Sequence, residues 1–238
     1  EQGNANAQYA LGWMYENGEG VVKDFAMAFK WYKRAAERDN PAAQTNLGWM
    51  YENGKGVVKD DAQSVFWYRQ AAEQGQAEGQ LNLGIMYKKG KGVDEDFDEA
   101  VFWFEKAAAQ GHVNAQLNLG VIYKNGEGVA PDYETSVYWL EKAVYQGHSA
   151  AMTNLGWMYE NGKGVVQDYK KAFTLYSKAA DKGQAEGQLN LGIMYNKGKG
   201  IERNYKWAVF WYKQAADKGN AEAQLNLGIM FKYGRGVE

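Results

Sequence analysis

Leu-Gly pairs begin at Leu11, Leu47, Leu83, Leu119, Leu155, Leu191 and Leu227, and every step is 36 residues. Gly-x-Gly pairs begin at Gly18, Gly54, Gly90, Gly126, Gly162, Gly198 and Gly234, with the same step. No insertion disturbs the register. Such a period means one supersecondary unit, stacked because a single unit cannot bury its apolar face alone. The chain divides into repeats 1–36, 37–72, 73–108, 109–144, 145–180 and 181–216 and a half repeat 217–238, in a single array. A second period of 108 residues sits on the first. TNLGWMYENGKGVV at Thr45 returns at Thr153, and AEGQLNLGIMY at Ala77 returns at Ala185. It reads as duplication of a three-repeat block.

Each repeat reads as two helices. In the first, Ala7, Leu11, Met14 and Tyr15 share one face at helical spacing, which predicts helix A from about Ala5 to Glu16. Asn17-Gly18 ends it, since glycine accepts the left-handed conformation of a helix terminus. Val21 is expected to plug the loop into the core. Asp24 is placed to cap helix B by accepting its free N–H groups. The same slot holds Asp60, Asp96, Asp132, Asp168 and Asn204. Asp60 with Gln63 and Asp96 with Glu99 have capping-box spacing. Helix B then runs to about Glu37, with Ala28, Trp31, Tyr32, Ala35 and Ala36 on its apolar side. The glycine-rich NGKGV loops follow a helix and recur in every unit. A phosphate-binding loop follows a strand and occurs once, so these loops are read as helix connectors.

Composition narrows the function. The 238 residues carry a formal net charge of −2, so neither a nucleic-acid surface nor an anionic-membrane surface is expected. No apolar run approaches the ~18 residues a membrane span needs, so no membrane insertion is expected. With no cysteine, disulfides, thiolate metal sites and a Cys nucleophile are excluded. The two histidines, His112 and His148, are 36 residues apart and hence equivalent. They read as solvent-exposed loop residues, because a metal site needs further converging ligands. Trp31, Trp67, Trp103, Trp139 and Trp211 share one slot and read as packing. A catalytic pocket would break the repeat symmetry, and none is marked. The chain is therefore expected not to be an enzyme and to need no cofactor or metal.

The phrase AxAQxxLGxMYxxGxGVxxDxxxAxxWYxxAAxxG resembles the Sel-one-like repeat, a relative of the tetratricopeptide repeat, over the whole chain. The resemblance implies an all-α, right-handed superhelical solenoid of antiparallel helix pairs, with helix A on the concave side and helix B on the convex side. It also implies an adaptor or scaffold. Many bacterial members are exported, which tilts the expected location toward periplasmic or secreted. Members with a cysteine pair in each repeat have been linked to penicillin binding, and this chain lacks those cysteines. It departs from the pattern at Asp39, where other repeats have Gly, and at Leu175, where others have Trp.

A protein or peptide partner is expected on helix A, at the positions that stacking does not use. Asn46, Asn82, Asn118, Asn154, Asn190 and Asn226 occupy one such slot, with Ala10 in the first repeat. An Asn amide both donates and accepts, so a ladder of them suits an extended peptide backbone, as in related tetratricopeptide repeats. The same ladder would also serve to fix repeat geometry. The next slot holds Trp13, Trp49, Ile85, Val121, Trp157, Ile193 and Ile229. One turn earlier, Tyr or Thr accompanies Trp, and Leu accompanies Ile or Val. That pattern suits volume compensation between adjacent A helices or, alternatively, pockets anchored by Trp49 and Trp157. The last slot holds Asn17, Asn53, Lys89, Asn125, Asn161, Lys197 and Tyr233. Lys89 and Lys197, with Lys88 and Lys124, suit an acidic group on the partner or a solvated rim. Leu227, Ile229, Met230 and Phe231 lie on a helix A without its partner. This suggests part of a longer protein or end-to-end self-association. A structural spacer is the alternative function.

Overall fold

The computed structural model describes residues 3–236. Among them are thirteen α-helices and no strand. The A helices are α1 (Ala5–Asn17), α3 (Pro41–Asn53), α5 (Ala77–Lys89), α7 (Val113–Asn125), α9 (Ser149–Asn161), α11 (Ala185–Lys197) and α13 (Ala221–Lys232). The B helices are α2 (Phe25–Ala36), α4 (Asp61–Glu73), α6 (Phe97–Ala109), α8 (Tyr133–Tyr145), α10 (Tyr169–Asp181) and α12 (Tyr205–Ala216). The architecture is an all-α helical-repeat solenoid. Its chain falls into two compact units, Glu1–Ala115 and Gln116–Glu238.

Local chemistry sets the helix ends. Gly18, Gly54, Gly90, Gly162 and Gly198 close A helices with φ between +58° and +81°, as a left-handed C-cap requires. Asp24 Oδ1 accepts from the N–H groups of Ala26 and Met27 at 2.8 and 3.0 Å. The expected capping boxes form only by half. Asp60 and Asp96 accept from Gln63 and Glu99 N–H, each at 3.0 Å. The caps' own N–H groups donate instead to the carbonyls of Tyr51 and Tyr87 on the preceding A helix. Glu99 is thereby released, and its Oε2 accepts from Trp103 Nε1 at 3.0 Å. Every cap thus ties helix B to helix A of its own repeat.

Packing explains the two glycine motifs. In the first unit, Ala28, Tyr32, Ala35, Ala36, Ala43, Leu47 and Met50 form a buried cluster, with Val57 and Trp67 of the second repeat packed against it. Val57 is the loop plug expected from the sequence. A Cβ on Gly48 would stand 2.6 Å from the Tyr68 ring, so the Leu-Gly glycine is the seat for a helix-B side chain. A Cβ on Gly56 would stand 2.1 Å from the Phe25 carbonyl oxygen. Gly92, Gly164, Gly200 and Gly236 likewise lie against the start of the preceding B helix, and a side chain there would wedge the repeats apart. In the second unit, Trp211 packs on the cluster of Ala172, Tyr176, Ala180, Leu191 and Met194.

Buried glutamines stitch neighbouring repeats. Gln74 Nε2 donates to Gln44 Oε1 at 2.8 Å, and Gln44 Nε2 donates to the Ala36 carbonyl at 3.2 Å. Gln110, Gln80 and Ala72 repeat the relay at 2.8 and 3.1 Å. In the second unit Gln146 donates to Gln116 at 2.8 Å. These contacts give a second hydrogen bond to helix-end carbonyls that already accept from the N–H groups of Asp39 and Gly75.

Candidate functional site

The exposed slots of helix A follow from its core slots. Ala43, Leu47 and Met50 are buried, so Asn46 and Trp49 point away from that core at helical spacing. In the first unit Asn46, Asn82 and Ile85 are half-buried, and Trp49 is 37% exposed. In the second unit Asn118, Val121, Asn154, Asn190, Ile193 and Asn226 are half-buried, and Trp157 is 37% exposed. Two large indoles therefore keep over a third of their surface in solvent, at equivalent places in the two units.

The asparagines do not all make the same contact. Asn154 Nδ2 donates to the Ala150 carbonyl of its own helix at 2.9 Å, and its Oδ1 accepts from Lys124 Nζ at 2.6 Å. The same ammonium lies 5.4 Å from the centre of the Trp157 ring. Burial pushes the Lys124 pKa down, against the opposing pull of Glu186 and Glu127. The helix-A face of the second unit thus brings together a partly desolvated cation, an amide and an indole. Asn46 instead lies beside the Tyr32 hydroxyl and opposes the rise in its pKa, which comes chiefly from burial and from Glu16. In the last slot, Asn17, Asn53 and Asn161 donate to the carbonyls of Trp13, Trp49 and Trp157 at 2.9 Å. These three finish their helices.

The Thr–Trp pairing has a partner the sequence did not reveal. Thr45 Oγ1 donates to Gln76 Oε1 at 3.1 Å, and Thr153 Oγ1 donates to Gln184 Oε1 at 3.0 Å. Gln76 and Gln184 are the N-caps of α5 and α11. Thr therefore sits where the next repeat's cap is Gln, whatever volume it also balances.

The histidines are not solvent-exposed loop residues. Both are half-buried, because their slot precedes helix A, where other repeats place a capping Asn or Gln. His148 Nδ1 accepts from Ala151 N–H at 3.3 Å, and burial lowers its pKa. His112 Nε2 lies 2.8 Å from Glu78 Oε2, a contact that holds the Glu78 carboxyl below its ordinary pKa. Among the described residues, no three His, Asp or Glu side chains converge as a metal site. None of the described helices is long and apolar enough to cross a membrane.

Sequence reasoning missed a second polar set at the helix-A C-terminus. Tyr32, Tyr68 and Tyr176 donate to Glu16, Glu52 and Glu160 at 2.5, 3.1 and 3.0 Å. The signal was available: Glu16, Glu52 and Glu160 stand where helix B offers Tyr32, Tyr68 and Tyr176, Asn196 accompanies Tyr212, and Lys88 and Lys124 occur where helix B offers Phe104 and Leu140. Helix B also carries exposed aromatics, with Phe66 at 48% and Phe102 at 46% in the first unit. Each meets its neighbouring Trp edge-on at 4.9 Å.

The Sel1 repeat model matches residues 5–40, 41–76, 77–112, 113–148, 149–184, 185–220 and 221–238. The period is the one read from the glycines, with its phase set at the start of helix A. A Sel1 repeat protein from Oxalobacter formigenes is 34% identical and superimposes with a TM-score of 0.89; the match covers 100% of this chain and 92% of that one. A protective antigen of uropathogenic Escherichia coli with an SLR fold is 39% identical, with a TM-score of 0.72. That match covers 97% of this chain but only 58% of the antigen. An immunity protein from Pseudomonas aeruginosa shares the fold at 23% identity and a TM-score of 0.53, over 90% of this chain and 81% of that one. No curated protein sequence matches the chain.

Proposed function

Because the chain belongs to the Sel1 repeat family, whose members are generally non-catalytic scaffolds for protein interactions, we propose that it is an adaptor that holds a peptide or protein segment on its helix-A face. The observation that carries this reading is the cluster of Lys124, Asn154 and Trp157. An indole 37% exposed supplies an anchor of the kind enriched at interaction hot spots. The amide beside it offers donor and acceptor groups to a backbone, and the lysine favours a carboxylate. Trp49 repeats the anchor in the first unit.

The test is affinity capture with three baits: the unaltered chain, one with Asn82, Asn118, Asn154 and Asn190 changed to Ala, and one with Trp49 and Trp157 changed to Ala. Circular dichroism checks that each is folded. Partners lost from both variants support recognition on helix A. Partners retained by both remove the proposal.

A further inference from the structure

The sequence marked no pocket that breaks the repeat, but the structure contains one. A groove of about 500 Å³ opens in the second unit where α8 meets α10, with Leu155 of α9 also lining it. Elsewhere an indole occupies this seam. Trp67 packs against the buried cluster that includes Ala36 and Leu47, and Trp211 packs against the one that includes Ala180 and Leu191. In α10 the slot holds Leu175, and the groove is where the missing ring would lie.

Two further departures line the same groove. Val144 stands where Ala36, Ala72, Ala108, Ala180 and Ala216 stand in the other repeats. Tyr145 stands where the others have Glu37, Glu73, Ala109, Asp181 and Asp217, and it is 92% exposed. A ring that exposed adds little packing to the fold. Three residues that the repeat does not require thus converge on one apolar cleft. Its rim is basic. Lys170 and Lys171 lie in the first turn of α10, where the helix dipole favours acids, so helix stability does not account for them. Lys171 Nζ lies 4.9 Å over the ring of Tyr159, another lining residue. Glu141 is the one acidic residue of the lining.

We propose that this groove docks a partner segment presenting one aromatic side chain next to a carboxylate. The aromatic ring replaces the absent indole against Leu155, Val144 and Leu175, Tyr145 closes over it, and the carboxylate meets Lys170 and Lys171. The surface is distinct from the helix-A face.

The test is a ¹H–¹⁵N NMR titration of the full chain with the acetylated tripeptide amides Glu-Trp-Glu, Gln-Trp-Gln and Glu-Ala-Glu. Glu-Trp-Glu should shift the amides of Val144, Tyr145 and Leu175, Gln-Trp-Gln should bind more weakly, and Glu-Ala-Glu should leave them unmoved. Leu175→Trp restores the repeat residue and should weaken Glu-Trp-Glu by about tenfold or more, as expected for a filled anchor pocket. Lys170→Gln with Lys171→Gln should weaken Glu-Trp-Glu and leave Gln-Trp-Gln unchanged. Tyr145→Asp, at an exposed position, covers the case in which Leu175→Trp does not fold, and must cause the same loss. Unmoved amides with Glu-Trp-Glu, equal shifts with Glu-Ala-Glu, or binding undiminished in whichever of Leu175→Trp and Tyr145→Asp folds would each overturn the proposal.

Discussion

Tyr176 donates its hydroxyl to Glu160 Oε2 at 3.0 Å, and Lys199 reaches the other carboxylate oxygen at 2.9 Å. One group comes from helix B, one from helix A and one from the loop of the following repeat. Tyr68, Glu52 and Lys91 reproduce the arrangement, with the lysine at 3.5 Å. A hydrogen bond to a charged acceptor contributes more than a neutral one. Tyr176→Phe is expected to lower stability by about 1–2 kcal/mol, within the range for such a bond. Urea unfolding measures this, and an unchanged midpoint would show the bond to be energetically silent.

The Leu-Gly glycine should be intolerant wherever helix B covers it. Gly48→Ala drives a methyl into the Tyr68 ring, and overpacking of this kind costs about 1–3 kcal/mol. Gly228 occupies the same slot on α13, with nothing within 4 Å of an added Cβ. There Gly→Ala should gain about 1 kcal/mol from helix propensity. Thermal melts of the two variants should move in opposite directions.

Stability should fall at alkaline pH. Burial, reinforced by nearby Glu16, Glu52 and Glu160, raises the phenol pKa of Tyr32, Tyr68 and Tyr176 above the usual tyrosine range. Tyr212 is pushed up to about 12, chiefly by burial. A group with a raised folded-state pKa keeps its full contribution below the unfolded pKa of 10.0 and loses it as pH rises beyond that. Each such tyrosine steepens the loss by about 1.4 kcal/mol per pH unit while it stays protonated in the folded chain alone. The urea midpoint should hold steady to about pH 9 and drop above about pH 10. Tyr68→Phe should make the drop shallower.

His148 gives the acidic counterpart. Its pKa is lowered by burial from 6.5, so the folded chain favours the neutral ring that caps α9. Stability from this group is full above the ordinary histidine range and declines as pH falls through it. His148→Asn copies the caps Asn40 and Asn220 and should remove that decline while keeping the helix. Unfolding midpoints measured at about pH 7.5 and about pH 5.5, on either side of the ordinary histidine pKa, test this. An equal loss in both proteins would refute it.

Asp39 is the one non-glycine with positive φ among the described residues, at 58°. Gly75, Gly111, Gly147, Gly183 and Gly219 fill the same slot with φ between +79° and +88°. Asp39→Gly should relieve the left-handed strain and raise the melting temperature, by an amount corresponding to about 0.5–1 kcal/mol.

The fold was legible because one period governs caps, glycines and alanines together. Asp24 and Gly18 each carry a local rule, and six copies of the one and seven of the other leave no ambiguity of register. The site was less legible. Asn46 and Asn154 look identical in sequence, yet one meets Tyr32 and the other Lys124, because the neighbour's identity is set by a different slot. His148 was misread for a related reason. A loop position beside a glycine reads as solvent, while the next repeat's packing turns it into a cap. The Leu175 groove was hidden because Val144 and Tyr145 precede Leu175 by about 30 residues in the chain and share a wall only when α8 and α10 are placed side by side.

The glycines seated under the preceding B helix bear on how the chain acquires its structure. Gly56 touches Phe25, and Gly200 touches Tyr169, through backbone atoms 31 residues earlier. Within each unit the contacts that matter are made with chain already behind them. Contacts so close in sequence favour rapid folding. A nascent chain can therefore complete one helix pair and offer it as the template for the next, with no pairing left waiting for a distant terminus to emerge.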